Sequence, residues 1–265
     1  MAEQRYRAVL EVVAEGRTIT EVAMQGYTHP ADCTGLSDGY DAWRDDAVAG
    51  GCDWTDRDVE GANAILDEAG YARGADGKRT MPDGSPLTFD ISVGATSSDW
   101  LSAANIIDQN LDDVGVDAQV NAPDWSAVVA GYEDGSFDTG IVWSNMEPTP
   151  YQFYRGVMST ETVKPVGEQA TQNYHRFGMP EADALLAQFA ASADEASQRE
   201  AIDELQALYA ENAPVVPLFP GPRWGAFNTT RFTGFPTEDN PYATLSTRSA
   251  TTVLVLTTLE PVVSE

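Results

Sequence analysis

Tryptophan and tyrosine rings placed beside a side-chain amide suit one kind of chemistry: they stack on the flat apolar face of a ligand, while the amide orients it. The stretch Ile141-Val142-Trp143-Ser144-Asn145-Met146-Glu147-Pro148-Thr149-Pro150-Tyr151-Gln152-Phe153-Tyr154-Arg155-Gly156 has that content. A short apolar run ends at Trp143 and has the pattern of a buried strand. Asn145 and two prolines follow, then Tyr151, Phe153 and Tyr154, which together predict a stiff, aromatic-rich loop. Trp125 lies in the first turn of a helix, and Trp224 sits in the loop Gly221-Pro222-Arg223-Trp224-Gly225. The candidate ligand contacts are therefore Trp125, Trp143, Asn145, Tyr151, Phe153, Tyr154 and Trp224. Of Tyr151, Phe153 and Tyr154, one or two face the site and the remainder packs. Trp100, Trp43 and Trp54 are assigned to packing, because aromatics dominate core burial.

Catalytic patterns are missing from the sequence. It has no Gly-x-Ser-x-Gly, His-Glu-x-x-His, Walker loop or Gly-x-Gly-x-x-Gly. The histidines, His29 and His175, are expected in loops, and neither is assigned as a ligand or base. A glycosidase-type carboxylate pair is defined by spatial separation, so sequence spacing cannot single one out. No cofactor or metal is expected. Cys33 and Cys52 are too few for a zinc site of their own. In an oxidising compartment they form a disulfide, and otherwise they are two buried thiols.

The 265-residue chain has a formal net charge of -27, and its only lysines are Lys78 and Lys164. Such a surface repels nucleic-acid phosphates and anionic lipid head groups, so neither is an expected partner. It suits the solubility of a secreted or salt-adapted protein. Met1-Ala2-Glu3-Gln4-Arg5 lacks the apolar region of a signal peptide. No apolar run approaches the roughly 20 residues that span a bilayer, so direct membrane insertion is not expected.

The elements that would position these residues follow from periodicity. Arg5–Val13 and Thr18–Gln25 are predicted helices, and residues 27–54 are expected to be irregular. Asp56–Ala69 is a predicted helix with Ala62, Ile65, Leu66 and Ala69 on one face. Gly74–Ser85, with Asp76-Gly77 and Asp83-Gly84, is a hairpin-like excursion. Leu87–Val93 is then a strand, Ser98–Val114 a helix, Val116–Val120 a strand, Pro123–Tyr132 a helix and Phe137–Trp143 a strand. This β-α-β-α-β order implies a mostly parallel α/β sheet, with ligands at the strand carboxyl ends, where Trp143 lies. Glu181–Ala193 and Asp194–Asn212 are helices. Val215–Phe219 is a short buried strand, and Thr252–Thr257 a final β run.

Several motifs in this order carry a family likeness. They are an Arg-x-x-x-x-x-Val opening helix, Ala64-Ile65-Leu66-Asp67-Glu68-Ala69-Gly70-Tyr71, Asp83-Gly84-x-Pro86-Leu87 and Gln109-Asn110-Leu111-x-x-Val114-Gly115-Val116. Gly135-x-Phe137-Asp138 leading to Trp143, Pro180-Glu181-Ala182-Asp183-x-Leu185, Arg199 and Ala213-Pro214-Val215-Val216-Pro217-Leu218 complete them. The sequence resembles the C-terminal part of family-5 extracellular solute-binding proteins, the oligopeptide, nickel and oligosaccharide receptors of bacterial ABC importers.

The resemblance implies one lobe of a type II, clam-shell periplasmic-binding-protein fold, with a mixed, mostly parallel sheet flanked by helices. Residues 1–232 correspond to the C-terminal ligand-binding lobe. Residues 233–265 correspond to a segment that returns to an N-terminal lobe, which would also carry the export signal. It further implies no catalysis, an extracellular or periplasmic location and ABC permease partners. Peptide receptors of the family place an acid shortly after the strand-ending tryptophan, where Met146 stands here. An oligosaccharide of the cello-oligosaccharide or β-glucan type is therefore preferred over an oligopeptide. A carbohydrate-active hydrolase is the competing class.

Overall fold

The computed structural model describes residues 31–52, 57–144, 149–219, 227–237, 240, 242–243 and 251–262. The helices predicted over 5–13 and 18–25 lie outside the described residues, as do Trp54, Asn145, Met146 and Trp224. The chain divides into two compact units, Thr18–Pro220, and Met1–Arg17 together with Gly221–Glu265.

The larger unit is built around the predicted β-α-β-α-β segment. Strand β1 (Thr88–Ser92) pairs in parallel with β2 (Asp117–Asn121) and with β3 (Thr139–Gly140), in the order β2-β1-β3. The register aligns Thr88 with Asp117 and Ser92 with both Asn121 and Gly140. Between the strands run two helices. In order of appearance along the described chain, the helices are α1 (Asp46–Ala49), α2 (Val59–Glu68), α3 (Ser98–Asp113) and α4 (Trp125–Asp134). Alternation puts Ile91 and Val93 on one face of β1. The 3- and 4-residue spacing of Leu101, Ala104, Ile107 and Leu111 gives α3 a matching stripe. Their apposition, with Ala118 and Ile141, forms one core.

A second core is helical. Helices α5 (Tyr151–Met158), α6 (Pro180–Ala191) and α7 (Glu195–Asn212) pack Phe153, Tyr154, Met158, Leu186, Ile202, Leu205 and Tyr209 against Leu36 and Tyr40. Asp194 caps α7 by accepting from Ser197 N at 3.0 Å, satisfying an otherwise orphaned N–H. Buried Gln206 joins the core to the segment below it, accepting from Asp45 N at 2.8 Å and donating to Trp43 O at 2.9 Å. That segment is closed by a Cys33–Cys52 disulfide.

Expectations for other segments of this unit are corrected. Residues 151–158 form α5 rather than loop: Pro150 starts the helix, and Tyr154 and Met158 share its buried face at 4-residue spacing. The stretch expected to be irregular contains a 3₁₀ helix, Asp38–Trp43, and α1, whose N-cap Asp45 accepts from Ala47 N at 2.8 Å. Helix α2 forms where one was expected, and on its apolar stripe Ile65 is 69% exposed. Val215–Phe219 forms no strand, and Val216 is exposed. Ala31 N donates to Leu218 O at 3.2 Å and the Tyr209 hydroxyl to Val215 O at 2.8 Å.

In the smaller unit, β4 (Phe232–Thr233) and β5 (Glu260–Pro261) form an antiparallel pair. Before β5 comes α8 (Thr252–Thr258), where a β run was expected. Among the described residues that run has no strand partner. A helix satisfies its backbone groups locally, which an unpaired strand cannot do. The Thr258 hydroxyl bonds back to Leu254 O at 2.7 Å.

Candidate functional site

At the carboxyl ends of the strands, chain geometry brings three loops together. Val93 N donates to Asn121 O and Ala95 N to Pro123 O, both at 3.0 Å. These bonds carry the β1–β2 ladder past the strands, so α3 and α4 begin side by side. Trp100, in the first turn of α3, and Trp125, the first residue of α4, are thereby neighbours. Their ring centroids lie 5.8 Å apart in an edge-on contact.

Trp143, three residues beyond β3, joins them. It stacks on Trp100 at 6.2 Å with 28° between planes, and meets Trp125 at 5.3 Å and 42°. Trp100 is partly buried against the sheet core. Trp125 lies over the backbone of Gly94, where a Cβ would sit 2.6 Å from Cε3 of the indole. Trp143 is 52% exposed. The result is an aromatic cluster with one large indole open to solvent.

The backbone beneath Trp143 is fixed by Tyr132 of α4. Its hydroxyl lies 2.8 Å from Ser92 O and 3.1 Å from Ile141 O, tying the end of β1 to that of β3. Burial pushes the phenol up to about 12, so it remains a neutral donor. The approach requires a residue without a side chain at Gly140, where a Cβ would collide with the Tyr132 hydroxyl. Arg176 holds the far end of α4, donating to Glu133 O at 2.9 Å and Tyr132 O at 3.3 Å.

Of the residues singled out from sequence, Trp125 and Trp143 come together here. Phe153 and Tyr154 do not: they are 4% and 0% exposed in the helical core, and the Tyr154 hydroxyl donates to Thr34 O at 2.8 Å. Tyr151 is half-buried and stacks on Phe189 at 5.2 Å. Asn145 and Trp224 lie outside the described residues. Trp100, assigned from sequence to packing, is part of the cluster. The signal for it was present: it follows the carboxyl end of β1, as Trp125 and Trp143 follow those of β2 and β3. Trp43 does pack, 6.1 Å from Phe189 and beneath the Arg199 guanidinium at 4.9 Å.

Other polar features are structural. The His175 ring is held neutral by burial, with Nε2 2.8 Å from Val157 O. A depression of about 470 Å³ lies toward the opposite, amino ends of the strands, lined by Lys78, Asp112 and Asp117. There Lys78 Nζ already pairs with Asp112 at 2.6 Å and Asp117 at 2.9 Å. Among the described residues, no cluster of three metal-ligating side chains occurs, and no helix is long and apolar enough to cross a membrane.

A mostly parallel α/β sheet flanked by helices, with aromatics at its carboxyl edge, is one lobe of a type II periplasmic-binding-protein fold. The chain belongs to the bacterial extracellular solute-binding proteins, family 5, whose middle-region model matches residues 4–164. It is similar to a periplasmic oligopeptide-binding protein of Thermotoga maritima solved with bound mannohexaose, with 25% identity, a TM-score of 0.77, and coverage of 90% of this chain and 46% of that one. Fold likeness extends to NikZ of Campylobacter jejuni in complex with Ni(L-His), at 17% identity and TM-score 0.57, covering 81% and 41% of the two chains. It extends also to a periplasmic binding protein of Agrobacterium fabrum in complex with stachyose, at 18% identity and TM-score 0.58, covering 73% and 29%. The chain thus spans less than half the length of these proteins. No curated protein matches it.

Proposed function

We propose that this chain is the ligand-binding lobe of the substrate-binding component of an ABC importer, and that it captures an oligosaccharide of the cello-oligosaccharide or β-glucan type. The observation that carries this reading is the open indole of Trp143, backed by Trp100 and Trp125 at the strand carboxyl ends. A pyranose presents a flat patch of C–H groups that stacks on such a ring, and a neutral ligand needs no charged partner there. The mannohexaose complex of the Thermotoga relative supports a sugar. Residues 233–265 are proposed to return to a second lobe, with Asn145 and Trp224 as further ligand contacts. The component works outside the cytoplasm with ABC permease subunits.

The reading is of a receptor without catalysis. A general acid of a glycosidase needs a raised carboxyl. Asp203 is raised, by burial and then by Asp45, but it lies on α7 beside Gln206 rather than at the tryptophans. Titration of intrinsic tryptophan fluorescence with cellotetraose, mannohexaose and a tetrapeptide tests the proposal. Saturable quenching by a sugar and not by the peptide is expected. Response to the peptide alone overturns the ligand class, and turnover of an aryl glycoside overturns the receptor reading.

A further inference from the structure

We propose that Trp100 is a positioning residue that makes Trp143 a fixed platform. It packs with its ring near-parallel to the Trp143 indole, fixes the plane of that ring and leaves its exposed surface for a pyranose. This rests on the reading of Trp143 as the ligand-facing ring.

The three rings are held in different ways. Trp143 follows β3 in a segment outside helix and strand, tied to the sheet at Ile141, whose N donates to Ser92 O at 3.3 Å and whose O lies 3.1 Å from the Tyr132 hydroxyl. An indole on such a backbone, 52% exposed, has several staggered orientations open to it. What selects one is contact with rings that themselves pack against the fold. Trp100 is partly buried against the core of the sheet, on a helix of 16 residues. Its plane lies 28° from that of Trp143 with centroids 6.2 Å apart, so the two rings are near-parallel and laterally offset.

Trp125 lies nearer to Trp143, at 5.3 Å, but is tilted by 42° from it and by 64° from Trp100, so it bounds the ring while the near-parallel Trp100 sets its plane. Affinity gained on the exposed surface then depends on how little orientational freedom Trp143 loses when ligand arrives. Holding a flexible side chain in place before binding is worth up to a roughly tenfold change in affinity.

The test uses the full chain labelled with 5-fluorotryptophan. The Trp143 resonance is assigned by its loss in Trp143→Phe. In Trp100→Leu this resonance is expected to move toward that of free fluorotryptophan, and the Kd for cellotetraose to rise about 5-fold. In Trp100→Phe, which restores a flat face, both are expected to return most of the way to wild type. Should Trp100→Leu fail to fold by circular dichroism, Trp100→Met fills the core volume without an aromatic face. A Trp143 resonance unchanged in Trp100→Leu overturns the proposal. So does a resonance that moves while affinity stays the same. A wild-type chain that binds neither cellotetraose nor mannohexaose sinks the oligosaccharide reading and the ligand-facing role assigned to Trp143. That result is read before any variant is made.

Discussion

Replacing Cys33 and Cys52 together by alanine tests how the second core is held. The disulfide spans a sequence separation of 19 and closes a loop that delivers Leu36, Tyr40 and Trp43 to the helical core. In the chain-entropy treatment, releasing a loop of that size costs about 3 kcal/mol at 25 °C. For a domain of 150–250 residues this lowers the melting temperature by about 6–12 °C. Differential scanning calorimetry of wild type and the double variant, at fixed pH and salt, gives the number directly. Wild type with a reducing agent serves as a second route to the same state. A shift below about 2 °C would refute the reasoning, because the open chain would then lose nothing by the cross-link. A shift far above the expected range would refute it differently. It would mean that the loop detaches, and that lost contacts of Leu36, Tyr40 and Gln206 dominate over unfolded-state entropy.

Three further outcomes are expected. Trp143→Ala removes the exposed platform, so sugar affinity falls by about tenfold or more in the same fluorescence titration while the unfolding midpoint in urea is unchanged. Gly140→Ala drives a methyl into the Tyr132 hydroxyl, and urea unfolding is expected to show a loss of about 1–3 kcal/mol, as overpacking does elsewhere. His175 is depressed below its ordinary value of 6.5 by burial. The unfolded chain therefore binds the proton first, and the stability tied to neutral His175 is present above pH 6.5 and lost as pH falls through the lower folded value. Urea midpoints measured from about pH 7 to pH 5 should fall less steeply in His175→Gln than in wild type.

The sheet was legible because local pattern and tertiary demand coincide there. Phe89, Ile91 and Val93 alternate, α3 carries its stripe at helical spacing, and Gly115 and Gly135 end α3 and α4. Trp143 at the carboxyl side of the sheet followed from the same order, although β3 stops at Gly140 rather than at Trp143 as expected. Where the two diverge, sequence misled. The prolines before Tyr151 suggested loop, yet Pro150 starts α5, and Phe153 and Tyr154 turn into a core made by residues far along the chain. In Thr252–Thr258, β-branched content favoured a strand, but a strand needs a neighbour, and none is present among the described residues. Trp100 was placed on the right helix. Its meeting with Trp143 is a tertiary fact that spacing cannot carry.

The helical core has one more property, which concerns time. The strands of the sheet lie between Thr88 and Gly140. The core beside it is assembled from both flanks of that segment: Tyr154 reaches Thr34 across 120 positions, and Gln206 reaches Trp43 across 163. The sheet segment is thus inserted between the two flanks that build the helical core, and its pairings, such as Thr88 with Asp117 and Ile91 with Thr139, close shorter loops than those of its host. Distant contacts wait for the intervening chain to order. The sheet core is itself completed late in the chain, by Leu218 and Phe219. Both cores therefore draw on residues beyond α7, and the segment holding Cys33 and Cys52 has its partner Gln206 only once that helix is present.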